Sequence, residues 1–217
     1  MLAELFQGFK RVAIRVTLVF ATLLVLAMAA LTWAWNTRPE LADSGLRAPV
    51  EDDPDSSTVT FTWFGVTTLL FDDGETQILV DGFISRPSLI DTAINRNVAN
   101  DAPMINYVLN EYDIRRLAAI VPVHSHFDHA MDIGAIANRS SASIIGSETT
   151  ANIARGVGVP EDQIIVAEEG GEFSFGNFTV TLVPSVHAPV GLRGAIPLPG
   201  TVDEPLQIPA PITAWRE

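Results

Sequence analysis

An unbroken apolar run near the start of the chain dominates its hydrophobic pattern. Val16–Trp35 holds 20 residues without a charge, and a helix of about 20 apolar residues crosses a bilayer. Because every face of this helix would be apolar, the run favours a membrane span over a surface helix. Lys10, Arg11 and Arg15 precede it. The positive-inside rule therefore places residues 1–15 in the cytoplasm and the rest of the chain on the periplasmic or extracellular side.

A cleaved signal peptide is the alternative interpretation of this run. The apolar region of a signal peptide spans about 7–15 residues and ends at a small-x-small cleavage site. Ala27-Met28-Ala29 has that form but lies inside the apolar run. The length of the run therefore favours an uncleaved anchor at residues 16–35, and both interpretations export the residues after it.

The pattern changes twice after the apolar run. Residues 36–57 are rich in Asp, Glu, Pro and Ser and have no apolar period, which predicts a solvated linker. Residues 58–217 are predicted to form the folded domain. Near its end, Ala188–Pro211 contains six Pro and three Gly, and no regular element is predicted there.

Alternating and continuous apolar segments predict eight strands and three helices in the domain. The predicted strands are Thr58–Phe64, Thr67–Phe71, Gln77–Val80, Leu117–Val123, Ser143–Ile145, Ile164–Val166, Glu172–Phe175 and Phe178–Val183, and the predicted helices are Met104–Tyr112, Ala130–Ala137 and Glu148–Arg155. Antiparallel hairpins come first and strand–helix alternation comes after them. This order predicts an α+β fold with helices on one face of a sheet whose other face packs elsewhere.

Composition and charge exclude several classes of function. The 217 residues have a formal net charge of −13, which argues against a nucleic-acid partner, since proteins that bind nucleic acid present a basic patch. The chain has no Cys, so disulfides, thiolate metal sites and Cys nucleophiles are excluded. A P-loop is excluded as well, because the only Lys is Lys10 and no Gly-Lys-Ser/Thr step exists.

Three of the four histidines of the chain fall within six positions. His124, His126 and His129, together with Asp128, directly follow the apolar strand 117–123, and the ends of such strands are where sheet proteins gather their sites. His124 and His126, two positions apart in extended chain, would project to one side. Imidazole and carboxylate groups are good ligands for Zn²⁺ and similar ions. His187, which ends another strand-like segment, is a natural third ligand beside His124 and His126.

The structural alternatives are weaker. A lone His is usually a packed or surface residue, and Asp128 alone could be a helix N-cap. The clustering of three His with a carboxylate favours metal binding over these roles. Asp132, one helical turn beyond Asp128, could support the ligands through a hydrogen bond or could be an exposed helix residue.

These residues resemble a known family. The segment from His124 to His129 resembles the HxHxDH signature of the metallo-β-lactamase superfamily, and Thr62–Gly65 with Leu69–Phe71 resembles the opening hairpin of that fold. Ile78–Asp81 resembles the strand that ends in its first motif Asp, and the position of His187 suits the third motif. The resemblance covers about residues 58–187. Within the superfamily, the Trp-x-Gly opening and the residues around the His motif resemble the branch containing N-acylphosphatidylethanolamine-hydrolysing phospholipase D and the sugar-phosphate lactonases.

The resemblance implies an αββα sandwich, of which this chain would be the N-terminal half. It also implies that His124, His126 and His187 hold a first metal ion and that Asp128 and His129 help to hold a second. Asp81 would not contact the ions itself but would orient the loop that carries the ligands. The cofactor would be one or two Zn²⁺ ions, with Mn²⁺ and Fe²⁺ as open alternatives.

Two features depart from the family pattern. Pro122 lies within the predicted strand before His124, and because proline removes a ladder hydrogen bond we expect a bulge there. The later motifs of the family, a bridging Asp and a final His, are missing after His187. The sequence is therefore expected to be a truncated copy or a degenerate one.

The predicted function is hydrolysis by a metal-activated water. A metal-activated water would attack an ester, lactone or phosphodiester, and Asp128 would hold the remaining proton of that water. The partners would be a small-molecule or lipid-derived substrate and the membrane, the latter through residues 16–35, and the oligomeric state is left open. The alternative is a non-catalytic, membrane-anchored metal-binding fragment, which the missing ligands favour.

Overall fold

The chain divides into two structural units, Met1–Asp53 and Pro54–Glu217. In a computed structural model, the described residues are 2–37, 58–187 and 198–216. Most of the predicted linker, residues 38–57, lies outside the described residues. Residues 188–197 of the proline-rich stretch lie outside them as well.

The first unit contains one long helix, α1, at Leu2–Asn36. Its stretch Phe6–Ala34 is long and apolar enough to cross a membrane and is not buried against other protein, although a signal sequence would share these properties. The hydroxyl groups of Thr22 and Thr32 donate hydrogen bonds to the carbonyl oxygens four residues earlier, at 2.9 and 2.8 Å. These polar groups are therefore satisfied within the helix, as an apolar surrounding requires.

The second unit is an α/β domain. Its strands are β1 (Thr60–Gly65), β2 (Thr68–Asp72), β3 (Gln77–Val80), β4 (Asn97–Val98), β5 (Leu117–Val121), β6 (Ser143–Gly146), β7 (Ile164–Val166), β8 (Glu172–Phe175), β9 (Phe178–Thr181) and β10 (Ala210–Pro211). Its helices are α2 (Leu89–Ala93), α3 (Ala102–Glu111), α4 (Phe127–Ala130), α5 (Ile133–Ser140) and α6 (Glu148–Gly156), with short 3₁₀ turns at Glu161–Gln163 and Ile212–Ala214.

The main sheet is mixed and has the strand order β1-β2-β3-β5-β6-β7. The first three strands form an antiparallel meander, whereas β5, β6 and β7 continue the sheet in parallel from β3. The parallel pairs are joined through the helices, because a parallel connection needs a crossover. Two small sheets, the hairpin β8–β9 and the pair β4–β10, complete the unit.

The two faces of the main sheet are covered differently. Alternate strand residues such as Leu79 and Ile120 pack against helix residues such as Ile136 in the larger apolar core. On the opposite face, Ile78 and Ile145 belong to a smaller core that the hairpin β8–β9 partly covers. The helices therefore lie on one face of the sheet, as the order of elements predicted.

Residues 198–216 pack across the helical layer of the same unit. The amide of Leu206 donates to the carbonyl oxygen of Asn152 in α6, at 3.0 Å. Further along, β10 pairs with β4, and Trp215 is completely buried. The prediction of no regular element over residues 188–211 is therefore wrong at Ala210–Pro211, where pairing with a distant strand, and not local periodicity, creates the element.

Two other local predictions are corrected. The strand before the His motif ends at Val121, so Pro122 follows the last paired residue and no bulge is needed to accommodate it. The predicted helix 130–137 is two helices, because the chain turns between α4 and α5, where the amide of Asp132 donates to the carbonyl oxygen of Gly82 at 2.9 Å.

Candidate metal centre

The histidine loop connects β5 to α4 at the carboxyl end of the sheet. Residues 123–126 form bends, so the continuous extended chain expected from His124 to His126 is not found. The amide of Val123 donates to Oδ1 of Asp81 at 2.8 Å, which holds the start of the loop beside β3. His126 has an extended backbone as the N-cap of α4, and its carbonyl oxygen accepts the amide of Ala130 at 2.8 Å.

His187 reaches this loop from a distant part of the chain. It ends the segment after β9, and its ring centroid lies 4.9 Å from that of His124 and 5.1 Å from that of His126. One ring nitrogen from each of the three side chains lies within 4.8 Å of the others. The structure therefore brings together the three residues predicted to share an ion.

The electrostatic environment keeps the imidazole of His124 neutral. Burial, followed by the neighbouring imidazoles of His129, His126 and His187, lowers the pKa of His124 to about 4. A neutral imidazole offers a nitrogen lone pair to a cation. Nε2 of His124 and Nε2 of His126 are buried and make no hydrogen bond among the described residues.

These features fit a bound divalent cation. Buried polar atoms normally have hydrogen-bond partners, so two unpartnered imidazole nitrogens at one point require an explanation. Zn–N bonds of about 2.0–2.1 Å would place the nitrogens of a tetrahedral site roughly 3.4 Å apart. The three nitrogens lie within 4.8 Å of one another, so their separations exceed those of a tetrahedral zinc site by about 1.4 Å at most.

A second group of polar atoms lies beside this triad. Nδ1 of His129 is 2.8 Å from Oδ2 of Asp81 and 2.9 Å from Oγ1 of Thr67. These contacts turn Nε2 of His129 towards Oδ2 of Asp128, at 3.7 Å. The ring of His129 stacks at a tilt on His124, with 3.9 Å between centroids. Asp128 and His129, predicted to serve a second ion, are thus adjacent to the first three residues.

Asp81 is fully buried and has a left-handed backbone with φ of 60°. One carboxylate oxygen faces the amide of Val123 and the other faces His129. The residue therefore links the β3 end to both halves of the His motif, which is the position expected of a group that orients ligands.

Asp132, for which the sequence left two roles open, is bonded to the loop after β3. Its Oδ2 accepts the amides of Ile84 and Ser85 at 2.8 and 2.7 Å, and its Oδ1 accepts from the Ser85 hydroxyl and the Asn100 amide group. It is fully buried, so it is not an exposed helix residue. Its described hydrogen bonds hold the loop after β3, and none of them goes to a histidine.

Sequence reasoning did not identify several polar residues around the motif. Thr67 contacts His129, and the buried hydroxyl of Ser125 contacts Thr150 of α6 at 2.9 Å. Thr67 lies in a hairpin turn and carries no motif. Ser147 is the N-cap of α6, and its Oγ accepts the amide of Thr150. The contact between Thr150 and the loop has no sequence signal.

The mixed sheet and the histidine cluster at its edge define an α/β protein with a candidate metal site. A family model described as the metallo-beta-lactamase superfamily matches residues 61–201. The chain belongs to this superfamily, as the His motif indicated. The match covers the main sheet, the helical layer and all of the proposed ligands.

Curated proteins similar to this chain are described as metal-dependent hydrolases. A UPF0173 metal-dependent hydrolase of Anaeromyxobacter sp. (strain K) is 28% identical over 131 residues, which are 58% of this chain and 42% of the relative. A second protein of that description, from Pyrobaculum aerophilum, is 30% identical over 147 residues, which are 64% of this chain and 57% of the relative. The chain spans about half the length of the curated relatives it matches.

Solved structures resemble the chain over part of its length. Igni18, a metallo hydrolase from the archaeon Ignicoccus hospitalis, is 20% identical with a TM-score of 0.39, covering 64% of this chain and 53% of its own. MEM-A1, a subclass B3 metallo-beta-lactamase from a soil metagenome library, is 19% identical with a TM-score of 0.40, covering 57% and 47%. The narrower resemblance to the phospholipase D and lactonase branch stays a prediction.

Proposed function

We propose that this chain carries the metal-binding part of a metal-dependent hydrolase that cleaves an ester, lactone or phosphodiester bond. The convergence of His124, His126 and His187 carries the proposal, because two of these imidazoles have buried Nε2 atoms without a described hydrogen bond. The curated relatives are described as metal-dependent hydrolases, which supports the same class of reaction.

Two groups of donor atoms would hold two ions. His124, His126 and His187 would hold one ion, and Nε2 of His129 with Oδ2 of Asp128 would hold a second. Zn²⁺ suits three imidazoles best, and Mn²⁺ or Fe²⁺ would suit the more oxygen-rich pair. When bound, such a cation lowers the pKa of a water ligand towards about 7 and stabilises negative charge that develops on the substrate.

The side chains of this protein supply orientation and a proton acceptor. The carboxylate of Asp128 is 39% exposed, so the oxygen that does not face His129 would be able to reach substrate-side water and hold the proton that an attacking water retains. Asp81 keeps Nδ1 of His129 engaged and so directs Nε2 towards Asp128. Ser125 is buried and bonded to α6, which removes it as a nucleophile.

The proposal also includes the sandwich architecture of the whole domain and the class of its substrate. Phe61 and Trp63 of β1, which point to the face opposite the helices, are 64% and 65% exposed. Such an apolar face supports an αββα sandwich in which this domain is the N-terminal half. The substrate would be a small molecule or lipid-derived, and the acidic chain would not bind nucleic acid.

The long apolar helix would anchor the domain to a membrane. Lys10, Arg11 and Arg15 at its start support a cytoplasmic N-terminus, with residues 58–217 on the periplasmic or extracellular side. A reporter fused after Trp35 should be active only outside the cytoplasm. Cytoplasmic activity of that fusion would contradict the proposed orientation.

Metal content tests the central claim. The full chain, purified in detergent, is loaded with Zn²⁺, desalted and analysed for zinc alongside His124→Ala, His126→Ala and His187→Ala. Each variant should lose about one equivalent per chain, whereas Tyr107→Ala, which removes an exposed ring on α3, should keep it. Unchanged zinc in all three His variants would refute the site. Zinc binding without turnover of esters, lactones and phosphodiesters would leave the metal-binding module as the function.

A further inference from the structure

The residue between the first two histidines is bonded to the N-terminal turn of α6. Ser125 is 2% exposed, and its Oγ lies 2.9 Å from Oγ1 of Thr150 and 3.5 Å from Oγ of Ser147. We infer that Ser125 and Thr150 are positioning residues, whose hydroxyl contact fixes the geometry of His124 and His126. The inference rests on the proposed function, because it concerns how the loop presents ligands to an ion.

The anchor for this contact is rigid. Thr150 lies in the first turn of α6, where Ser147 is the N-cap and accepts the Thr150 amide at 3.3 Å. The side chain of Thr150 lies so close to Gly146 of β6 that a Cβ added there would be 2.7 Å from both its methyl group and its hydroxyl oxygen. The side chain of Thr150 is therefore placed by the first turn of α6 and by its contact with β6.

The contact acts on two ligands at once. His124 and His126 are the chain neighbours of Ser125, so a rotation of its backbone turns both imidazoles. His187 arrives from a separate segment and would stay in place. A polar partner behind a ligand typically changes metal affinity by about 10–100-fold, and the same range is expected here because two of three ligands depend on one contact.

Variants of matched shape isolate the hydroxyl. Thr150→Val removes the hydroxyl and keeps the volume, whereas Thr150→Ser keeps the hydroxyl. Ser125→Ala removes the other partner. Thr149→Val is the control, because Thr149 precedes Thr150 on α6, is buried, and uses its hydroxyl to accept the amide of Val202 at 3.3 Å.

Affinity and geometry are measured on the full chain in detergent. Co²⁺ is titrated against a competing chelator, its visible absorption is recorded, and the melting temperature of the metal-free protein is determined. Thr150→Val and Ser125→Ala should weaken Co²⁺ binding by about 10–100-fold and shift its absorption bands. Thr150→Ser should bind normally, and Thr149→Val should lower only the melting temperature. The double variant Ser125→Ala/Thr150→Val should bind no more weakly than either single variant, because both remove one contact.

The outcomes separate this inference from the proposed function. Two results would refute the positioning role alone, provided that the wild-type chain binds Co²⁺. One is an unchanged Co²⁺ affinity in Thr150→Val, and the other is an equal loss of Co²⁺ affinity in Thr149→Val. If Thr150→Val does not fold, Ser125→Ala decides by the same criteria. A wild-type chain that binds no Co²⁺ refutes the proposed function and the positioning role with it.

Discussion

Asp81 provides a test of how the second half of the site is oriented. Its two carboxylate oxygens accept from the Val123 amide and from Nδ1 of His129, each at 2.8 Å. In Asp81→Asn, the amide oxygen can keep the Val123 contact, but an NH₂ group then faces Nδ1. Asn tolerates the left-handed backbone that Asp81 has, so the substitution changes hydrogen bonding more than conformation.

The substitution should reverse the tautomer of His129. With a donor opposite Nδ1, the imidazole proton moves to Nε2, the atom that faces Asp128 at 3.7 Å. A protonated Nε2 has no lone pair for an ion. Hydrogen bonds to charged groups contribute about 1.5–3 kcal/mol, and since about 1.4 kcal/mol is a factor of ten, the affinity for a second ion should fall by about 10–100-fold.

Calorimetric titration of Co²⁺ into the full chain separates the two ions. Asp81→Asn should leave the first binding step at His124, His126 and His187 within about twofold of wild type and weaken the second. Asp132→Asn is the matched control, because it changes another fully buried carboxylate that bonds to a loop and not to a histidine. Unchanged second-step affinity in Asp81→Asn, or an equal change in Asp132→Asn, would contradict the tautomer argument.

Three further predictions concern stability, each measured by urea unfolding of the metal-free protein. Gly156→Ala would place a Cβ 1.8 Å from the carbonyl oxygen of Leu206, so it should cost about 2 kcal/mol; a stabilised variant would contradict this packing. Trp215→Ala removes a fully buried ring and should cost about 3–5 kcal/mol, whereas a loss below about 1 kcal/mol would mean that the C-terminal segment is loosely held. The pKa of His124 is lowered to about 4 in the folded protein, from an ordinary value of 6.5. Between pH 4 and pH 6.5, the unfolded chain therefore binds a proton at His124 that the folded chain does not bind. Stability should therefore be complete above pH 6.5 and fall towards pH 4, and His124→Gln should show a smaller fall; an identical pH profile would refute the assignment.

The local pattern of the chain was sufficient to predict most strands and the convergence of His124, His126 and His187. The bounds of Gln77–Val80, Ile164–Val166 and Glu172–Phe175 agree with the structure, because each is a short apolar or alternating run between turn residues. His187 was assigned to the same site as His124 from motif spacing, and the structure places their rings 4.9 Å apart. Both successes depend on information carried by residue type and order.

Long-range contacts explain what the sequence did not predict. The break between α4 and α5 occurs where the Asp132 amide bonds to Gly82, a residue about 50 positions earlier, and the helical pattern continues through it. The pair β4–β10 joins residues more than 100 positions apart and is two residues long, too short for any periodicity. Thr67 and Thr150 were missed because an ordinary hydroxyl has no signature until the fold places a partner beside it.

The same contacts show that the two sides of the candidate site are held differently. On the motif side, the loop after β3 is bonded to the end of α4 and the residues after it. The Gly82 amide donates to the His129 carbonyl oxygen, the Asp132 amide donates to the Gly82 carbonyl oxygen, and Oδ2 of Asp132 accepts the Ser85 amide. On the other side, His187 ends a segment in which Val183 and Val186 are largely exposed. Because one ligand set is fixed by buried carboxylates and the other arrives on an exposed segment, the motif side is pre-organised, and ion binding would mainly order the His187 side.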